Sequence, residues 1–261
     1  MLPTPSTSHV SFDRIYEPAE DSFLLLDTLS SNDEVSFLHE RFSATAEYDK
    51  DSRAPLVVEV GVGSGVVLAF VAANAEAILG RSDVFVLGTD LNTFSCKAAV
   101  ETVGKALKDK NGDANPRLPS KATSLGSVIA NLAGPIRGSE TDILIFNPPY
   151  VPTEATPDLE TTVQVSGESL SHFEKDSHLL ALSYAGGKEG MEVTNRLLAA
   201  LPEILHRKYG VAYILLCAQN KPDKVKDVIR SWGSSWAVKA VGTSGKSAGW
   251  EKLQVLRIWR V

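Results

Sequence analysis

The chain has 261 residues, of which 43% are hydrophobic, and its formal net charge is −6. This size and composition are typical of one globular domain with a single large core, and the acidic balance argues against a long phosphate-binding surface. The two cysteines are far apart and form neither a metal-ligand spacing nor a disulfide framework, and no apolar run is long enough to cross a membrane.

Cysteine usage of this kind indicates a reducing compartment, so we expect the protein in the cytoplasm or the nucleus. The first residues have neither a basic start nor an apolar core, so no signal peptide is predicted there. We expect residues 1–12 to form a disordered tail and residues 13–261 to form a single domain.

Apolar runs alternate with helical patterns along the chain, which predicts an α/β fold with a mostly parallel sheet and helices on both faces. Strands are predicted at 56–60, 84–90, 142–146, 211–218, 236–241 and 253–259, the last two as an antiparallel pair. Helices are predicted at 19–30, 66–73, 93–108, 189–206 and 221–232. Of the remainder, 32–54 is predicted as a connector with some helix, 108–115 as a polar turn, and 153–176 as a mobile loop over the active site.

A glycine-rich turn, Gly61-Val62-Gly63-Ser64-Gly65, lies between the first predicted strand and the helix at 66–73. Strand, glycine-rich turn and helix is the arrangement in which backbone approaches a ligand closely. The spacing differs from the dinucleotide fingerprint G-x-G-x-x-G, and an acidic residue, Glu59, precedes the first glycine by two positions.

Asp90 ends the second predicted strand, where a carboxylate is well placed to accept both hydroxyls of a ribose. It is also suited to cap a helix that starts near Thr93, and both roles are compatible.

The tetrad Asn147-Pro148-Pro149-Tyr150 follows the strand at 142–146. Two prolines fix the backbone and remove two donors, so carbonyl oxygens and the Asn147 side-chain oxygen remain as acceptors beside an aromatic ring. Such a set suits a flat –NH₂ group, whose two N–H donors need two acceptors. The alternative is a plain Pro-Pro turn with Asn as a turn former.

Together these motifs resemble the class I S-adenosylmethionine-dependent methyltransferases that modify planar amino or amide nitrogens. The stretch Tyr16-Glu17-Pro18-Ala19-Glu20-Asp21-Ser22-Phe23-Leu24-Leu25-Leu26-Asp27 resembles the signature of the eukaryotic and archaeal HemK-like glutamine methyltransferases, which act on class I translation termination factors. Ala185-Gly186-Gly187-x-x-Gly190-x-Glu192-Val193 is similar to the same family, and the likeness runs from about Tyr16 to the C-terminus.

The resemblance implies a Rossmann-like fold with a mostly parallel seven-stranded sheet and an antiparallel C-terminal strand. It implies methyl transfer from S-adenosylmethionine to the side-chain amide nitrogen of the glutamine in the Gly-Gly-Gln motif of a class I peptide chain release factor. The catalytic chain would form a heterodimer with a small zinc-binding activator subunit. It needs no metal ion of its own, and neither a membrane nor a nucleic acid is expected as a partner.

The same resemblance assigns residues to the cofactor. Glu59, Gly61 and Gly63 would cradle its methionine part and Asp90 its ribose, with Asn147 beside them. Ser22 matches a position where the family has a hydroxyl that touches the cofactor, although a solvated surface serine is an equal alternative. Ser124 and Leu125 match the family's Thr-Asp-Leu, whose Asp accepts from the adenine amino group, and Ser124 is an uncharged replacement for it.

For the substrate, the resemblance assigns the whole tetrad. Asn147 and the Pro148 carbonyl would accept from the two N–H groups of the amide, while Tyr150 and Pro149 would hold its plane. The acidic residues Glu17, Glu20 and Asp21 are predicted either at the rim of the pocket or at a solvated helix start.

Two other functions stay open. An adenine methyltransferase acting on nucleic acid could use the same tetrad, but the chain has no cluster of basic and aromatic residues and no room for a target-recognition domain. A non-catalytic cofactor-binding module is disfavoured by the intact tetrad, whereas Ser124 is compatible with it.

Overall fold

A computed structural model describes residues 2–46, 53–113, 121–157, 172–245 and 252–261. Its strands are β1 (Leu56–Val60), β2 (Phe85–Asp90), β3 (Thr123–Ile129), β4 (Ile143–Phe146), β5 (Val211–Cys217), β6 (Trp236–Thr243) and β7 (Leu253–Arg260). Its α-helices are α1 (Glu20–Leu29), α2 (Asn32–Phe42), α3 (Val66–Ala73), α4 (Ala75–Leu79), α5 (Thr93–Asp113), α6 (His172–Tyr184), α7 (Glu192–Ile204) and α8 (Pro222–Arg230).

The strands of the described ranges form one seven-stranded sheet in the order β3-β2-β1-β4-β5-β7-β6. Strands β1 to β5 pair in parallel, and β7 is antiparallel to both β5 and β6. This confirms the predicted fold, a mostly parallel sheet with an antiparallel C-terminal strand. The order reverses direction between β1 and β4, which is where open α/β sheets bind ligands.

Helices cover both faces because side chains alternate along the central strands. Val57, Ile143 and Tyr213 point into one apolar cluster with α1 to α5, whereas Val58, Leu144 and Ala212 point into a second cluster with α7 and α8. Since β4 and β5 are buried along their whole length, both strands had to be continuous apolar runs, as the sequence shows.

Strand β3 was not among the predicted strands. Its sequence includes Ser124, Gly126 and Ser127, and its side chains are half-buried or exposed, so it has no apolar run to detect. The chain at 108–113, predicted as a turn, continues α5, and the connector at 32–54 contains α2.

The helix predicted at 189–206 is shorter, because a 3₁₀ turn with Glu189 at φ +56° precedes α7. Part of the loop predicted at 153–176 lies outside the described residues, and its last residues belong to α6.

The N-terminal tail differs from the disordered segment predicted for residues 1–12. Leu2 packs against the first apolar cluster, and the His9 Nε2 atom lies 3.1 Å from the Thr102 hydroxyl of α5.

Within the described ranges, no helix combines the length and the apolar composition that crossing a membrane requires.

Candidate functional site

The glycine-rich turn follows the carboxyl end of β1, and three of its residues have a left-handed backbone conformation. Gly61, Gly63 and Gly65 have φ of +64°, +52° and +79°, a region that side chains with a Cβ rarely adopt. A Cβ on Gly65 would lie 2.5 Å from the Ala99 Cα, so this glycine also allows α3 to pack closely on α5. Gly61 and Gly63 have no neighbour nearer than 3.6 Å to such a Cβ, and both line a cavity above the turn.

Glu59 joins the turn to the helix that follows it. Its buried Oε2 accepts from the Leu68 backbone N–H at 2.8 Å, which caps α3 in place of Gly65, a residue without a capping side chain. Burial raises the pKa of Glu59 well above its usual value, opposed by the Leu68 N–H and reinforced by the charge of Asp90. No cation pairs with Glu59 among the described residues. The site therefore favours a positively charged ligand group.

Asp90, the last residue of the neighbouring strand β2, is hydrogen-bonded to the glycine-rich turn. Its two oxygens accept from the Gly63 N–H at 3.0 Å and from the Asn92 N–H at 2.8 Å. Asn92, whose Oδ1 accepts from the Phe94 N–H at 2.9 Å, caps α5, so Asp90 does not act as the helix cap. Desolvation raises the pKa of Asp90, although the N–H donors oppose this shift. Each carboxylate oxygen keeps a lone pair for a ligand hydroxyl.

The side chains of the tetrad converge on Asp21, the second residue of α1. Asn147 Nδ2 donates to Asp21 Oδ2 at 3.0 Å, and the Tyr150 hydroxyl donates to the same oxygen at 3.4 Å. Asp21 is 3% exposed, so it lies neither at the rim nor at a solvated helix start. The Asn147 Oδ1 is buried without a hydrogen-bond partner, which leaves one acceptor for a ligand N–H.

The backbone of the tetrad is fixed by two glycines and by Asn220. A Cβ on Gly186 would lie 2.3 Å from the Pro149 carbonyl oxygen, and one on Gly190 would lie 2.0 Å from the Tyr150 carbonyl oxygen. The Asn220 Nδ2 donates to that Tyr150 oxygen at 3.0 Å and to the Glu189 carbonyl at 3.0 Å. The Gly-Gly-x-x-Gly sequence is thus explained by close backbone contact, and Asn220 is a supporting residue that the sequence did not indicate.

The Tyr150 carbonyl accepts from Asn220. The Pro148 carbonyl accepts no hydrogen bond from any residue that the structure describes. Tyr150 packs against the apolar core beside Asp21 and Pro148 is buried, and neither residue lines the cavities described next, whereas Pro149 lines both. The structure therefore places the Tyr150 hydroxyl beside Asp21 and not in the wall of either cavity.

Two adjoining cavities lie over the carboxyl ends of the strands. They enclose about 730 and 700 Å³, including the space open to solvent, and Gly61, Asp90, Phe146, Pro149 and Leu182 line both. Ser22, Glu59 and Asn147 line the first cavity, and Ser22 is 6% exposed rather than solvated.

Ser124 and Leu125 line neither cavity, so the structure does not bring these two residues together with Glu59, Asp90 and Asn147. Ser124 pairs with Val86, four residues before Asp90 on β2, so it lies about 13 Å from the carboxyl edge of the sheet. Its hydroxyl accepts from the Gly126 N–H, and Leu125 is exposed.

Asn131, unlike Ser124, lies beside a cavity. It follows the carboxyl end of β3, lines the second cavity with Leu132, and accepts from Arg196 Nη2 at 2.8 Å through its Oδ1. The sequence signal for Asn131 is a polar residue just after a strand. This signal can be recognised only if β3 is first predicted as a strand.

These groups fit S-adenosylmethionine. Glu59 offers an unpaired buried carboxylate for an ammonium group, Asp90 two acceptors for ribose hydroxyls, and Asn131 an amide for the edge of adenine. The described part of the chain contains no cluster of three or more His, Cys, Asp or Glu side chains that could hold a metal ion.

Comparison with known proteins gives a consistent result. No protein-family model matches the chain. The eRF1 methyltransferase catalytic subunit mtq2 of Schizosaccharomyces pombe is 32% identical over 267 residues, covering 100% of this chain and 97% of that protein. Methyltransferase HEMK2 of Homo sapiens is 28% identical over 97% of this chain and 95% of its own length.

One solved structure shares the fold. It is a chain of the Mtq2–Trm112 complex of E. cuniculi, described as responsible for methylation of the eRF1 translation termination factor. It matches with a TM-score of 0.50 and 19% identity, covering 95% of this chain and 99% of that chain.

The substitution Glu59→Gln separates helix capping from ligand binding. Glutamine can still accept from the Leu68 N–H but has no charge, so we expect an unchanged or higher unfolding temperature. Affinity for S-adenosylmethionine should fall about tenfold or more, measured by calorimetry. Unchanged affinity would leave Glu59 with the capping role alone, and Glu59→Ala, which removes both functions, serves as the comparison.

Asn131→Ala and Ser124→Ala form a second pair. We expect the first to weaken S-adenosylmethionine binding about five- to tenfold, because a polar contact in the cavity is lost, and the second to leave it unchanged. Calorimetry that gives the opposite ranking would show that Ser124 is the cofactor residue after all.

Proposed function

The chain belongs to the HemK-like family of release factor glutamine methyltransferases, and we propose that it methylates the side-chain amide nitrogen of the glutamine in a Gly-Gly-Gln motif of a class I release factor. The observation that carries this proposal is the buried, unpartnered Oδ1 of Asn147 beside the cavity. S-adenosylmethionine, when bound, supplies an electrophilic methyl group with a good leaving group.

The remaining chemistry is positioning by this chain's own groups. The Asn147 Oδ1 accepts one N–H of the glutamine amide, and the Pro148 carbonyl accepts the other. These contacts orient the amide nitrogen, whose lone pair is otherwise delocalised into its carbonyl. They also favour the positive charge that develops on nitrogen as the new N–C bond forms and the bond between the methyl group and the cofactor sulfur breaks. The nitrogen then releases one proton to water, which leaves a neutral monomethylated amide. Pro149 lines the cavity and limits its width.

Glutamine fits this site better than adenine in a nucleic acid. Two glycines beside the glutamine have no side chains to collide with the cavity mouth. Adenine would have to be unstacked, and its phosphates would approach a chain with a net charge of −6. We place the reaction in the cytoplasm, where peptide release occurs.

We further propose a heterodimer with a small zinc-binding activator subunit, in keeping with the Mtq2–Trm112 complex of the solved relative. Strand β3 is the edge suited to this partner. Leu125, Val128 and Ile129 are 52%, 40% and 61% exposed, and β3 has a strand neighbour on one side only. An edge strand with exposed apolar side chains is a common site for pairing with another chain. The opposite edge, β6, packs against α1 and α8.

The substrate can be tested with the recombinant heterodimer and a release factor. Fragment mass spectra should place one increment of about 14 daltons, one methyl replacing one hydrogen, on the glutamine amide. The Gln→Ala release factor and DNA serve as controls. Methylation of DNA with an unmodified release factor would overturn the proposal.

Asn147→Ala tests the residue that carries the proposal. We expect a loss of about 100-fold or more in kcat with nearly unchanged cofactor affinity, because the lost contact is made to the substrate amide. Asn32→Ala, an exposed asparagine at the start of α2, is the matched control and should retain full activity. An Asn147→Ala enzyme within a few-fold of the wild-type rate would contradict the assignment.

The partner surface can be tested with Leu125→Lys. A lysine there would have to be desolvated at the interface, so we expect about tenfold weaker binding of the activator with an unchanged unfolding temperature. Val228→Lys on α8 is the control, since Val228 is also 52% exposed. Equal activator affinity of both variants in calorimetry would place the partner elsewhere.

A further inference from the structure

We propose that Asp21 is a positioning residue for methyl transfer, whose carboxylate decides which end of the Asn147 side-chain amide faces the substrate. This inference rests on the proposed function and extends it to a residue outside the tetrad. It starts from two observations: the Asn147 Nδ2 donates to Asp21 Oδ2 at 3.0 Å, and the Asn147 Oδ1 is buried without a partner.

The two ends of an asparagine amide have nearly the same shape, so packing alone does not distinguish them. They differ in hydrogen bonding, because the NH₂ end only donates and the oxygen only accepts. An ionised carboxylate only accepts, so it selects the NH₂ end of Asn147 and turns the oxygen away from itself. In the flipped orientation two oxygens would face each other, and Nδ2 would meet the N–H donors of the glutamine amide.

Asp21 is itself held firmly in the acceptor role. The Ser22 backbone N–H donates to Oδ1 at 2.6 Å, and the Tyr150 hydroxyl donates to Oδ2 at 3.4 Å. Asp21 is the second residue of α1, where the helix dipole favours a negative charge. Both carboxylate oxygens of Asp21 therefore accept hydrogen bonds. Among the described residues, the Asn147 Nδ2 donates to no other acceptor.

The variant Asp21→Asn has the same shape but can donate as well as accept, so it no longer selects one orientation of Asn147. With the activator-bound enzyme and a saturating release factor, we expect kcat to fall about 10- to 100-fold. The KM for S-adenosylmethionine and the unfolding temperature should stay close to wild type. Glu20→Gln, the same acid-to-amide change at the exposed preceding residue, should have no effect.

A double-mutant cycle with Asn147→Ala separates positioning from a merely structural role. If Asp21 acts through Asn147, then Asp21→Asn should change kcat little once Asn147 is alanine. Asp21→Glu, which keeps an acceptor-only group, should retain more activity than Asp21→Asn, and it preserves the test if the asparagine variant folds poorly.

Additive effects in the cycle, or an Asp21→Asn enzyme with the wild-type kcat, would overturn the inference while leaving the methyltransferase function intact. A wild-type complex that does not methylate the release factor glutamine would instead overturn the proposed function, and this inference with it.

Discussion

The parallel register of β1 with β2 and β4 is the constraint on which the site depends. It brings the carboxyl ends of these strands to one edge of the sheet, at the point where the strand order reverses. Glu59, Asp90, Asn131 and Asn147 each lie at or just after the end of a different strand. A shift of one residue in any register would turn the side chains of that strand to the other face and separate these groups.

The sequence predicted the strands whose residues are mostly apolar, including the partly buried β6, and it missed β3, whose apolar residues are interrupted. Strands β1, β4 and β5 were recognisable because their residues are nearly all apolar. Strand β3 was not, since Ser124, Gly126 and Ser127 interrupt it. That omission also explains why Ser124 was chosen for adenine, because the likeness at Thr123-Ser124-Leu125 was judged without knowing where the strand ends.

Asp21 could not be assigned from the sequence for a different reason. An acidic residue in the first turn of a helix is common, and the helix dipole explains it without any function. Its burial arises only when α1 packs against the sheet and brings the carboxylate to Asn147, a residue 126 positions further along the chain. Contacts of such sequence separation leave no local pattern, in contrast to the glycine-rich turn, where chain neighbours carry the signal.

The position of α1 in turn depends on the far end of the sheet. At Gly242 on β6, a Cβ would lie 2.0 Å from the Thr28 hydroxyl oxygen, so only glycine lets α1 approach this closely. Thr28 is 3% exposed and donates to the Leu24 carbonyl within the same helix at 2.6 Å. A larger residue at 242 would have to displace the Thr28 side chain or shift α1, the helix that has Asp21 near its other end. The orientation of the Asn147 side chain therefore depends on the packing of α1, which carries Asp21, as well as on the tetrad itself.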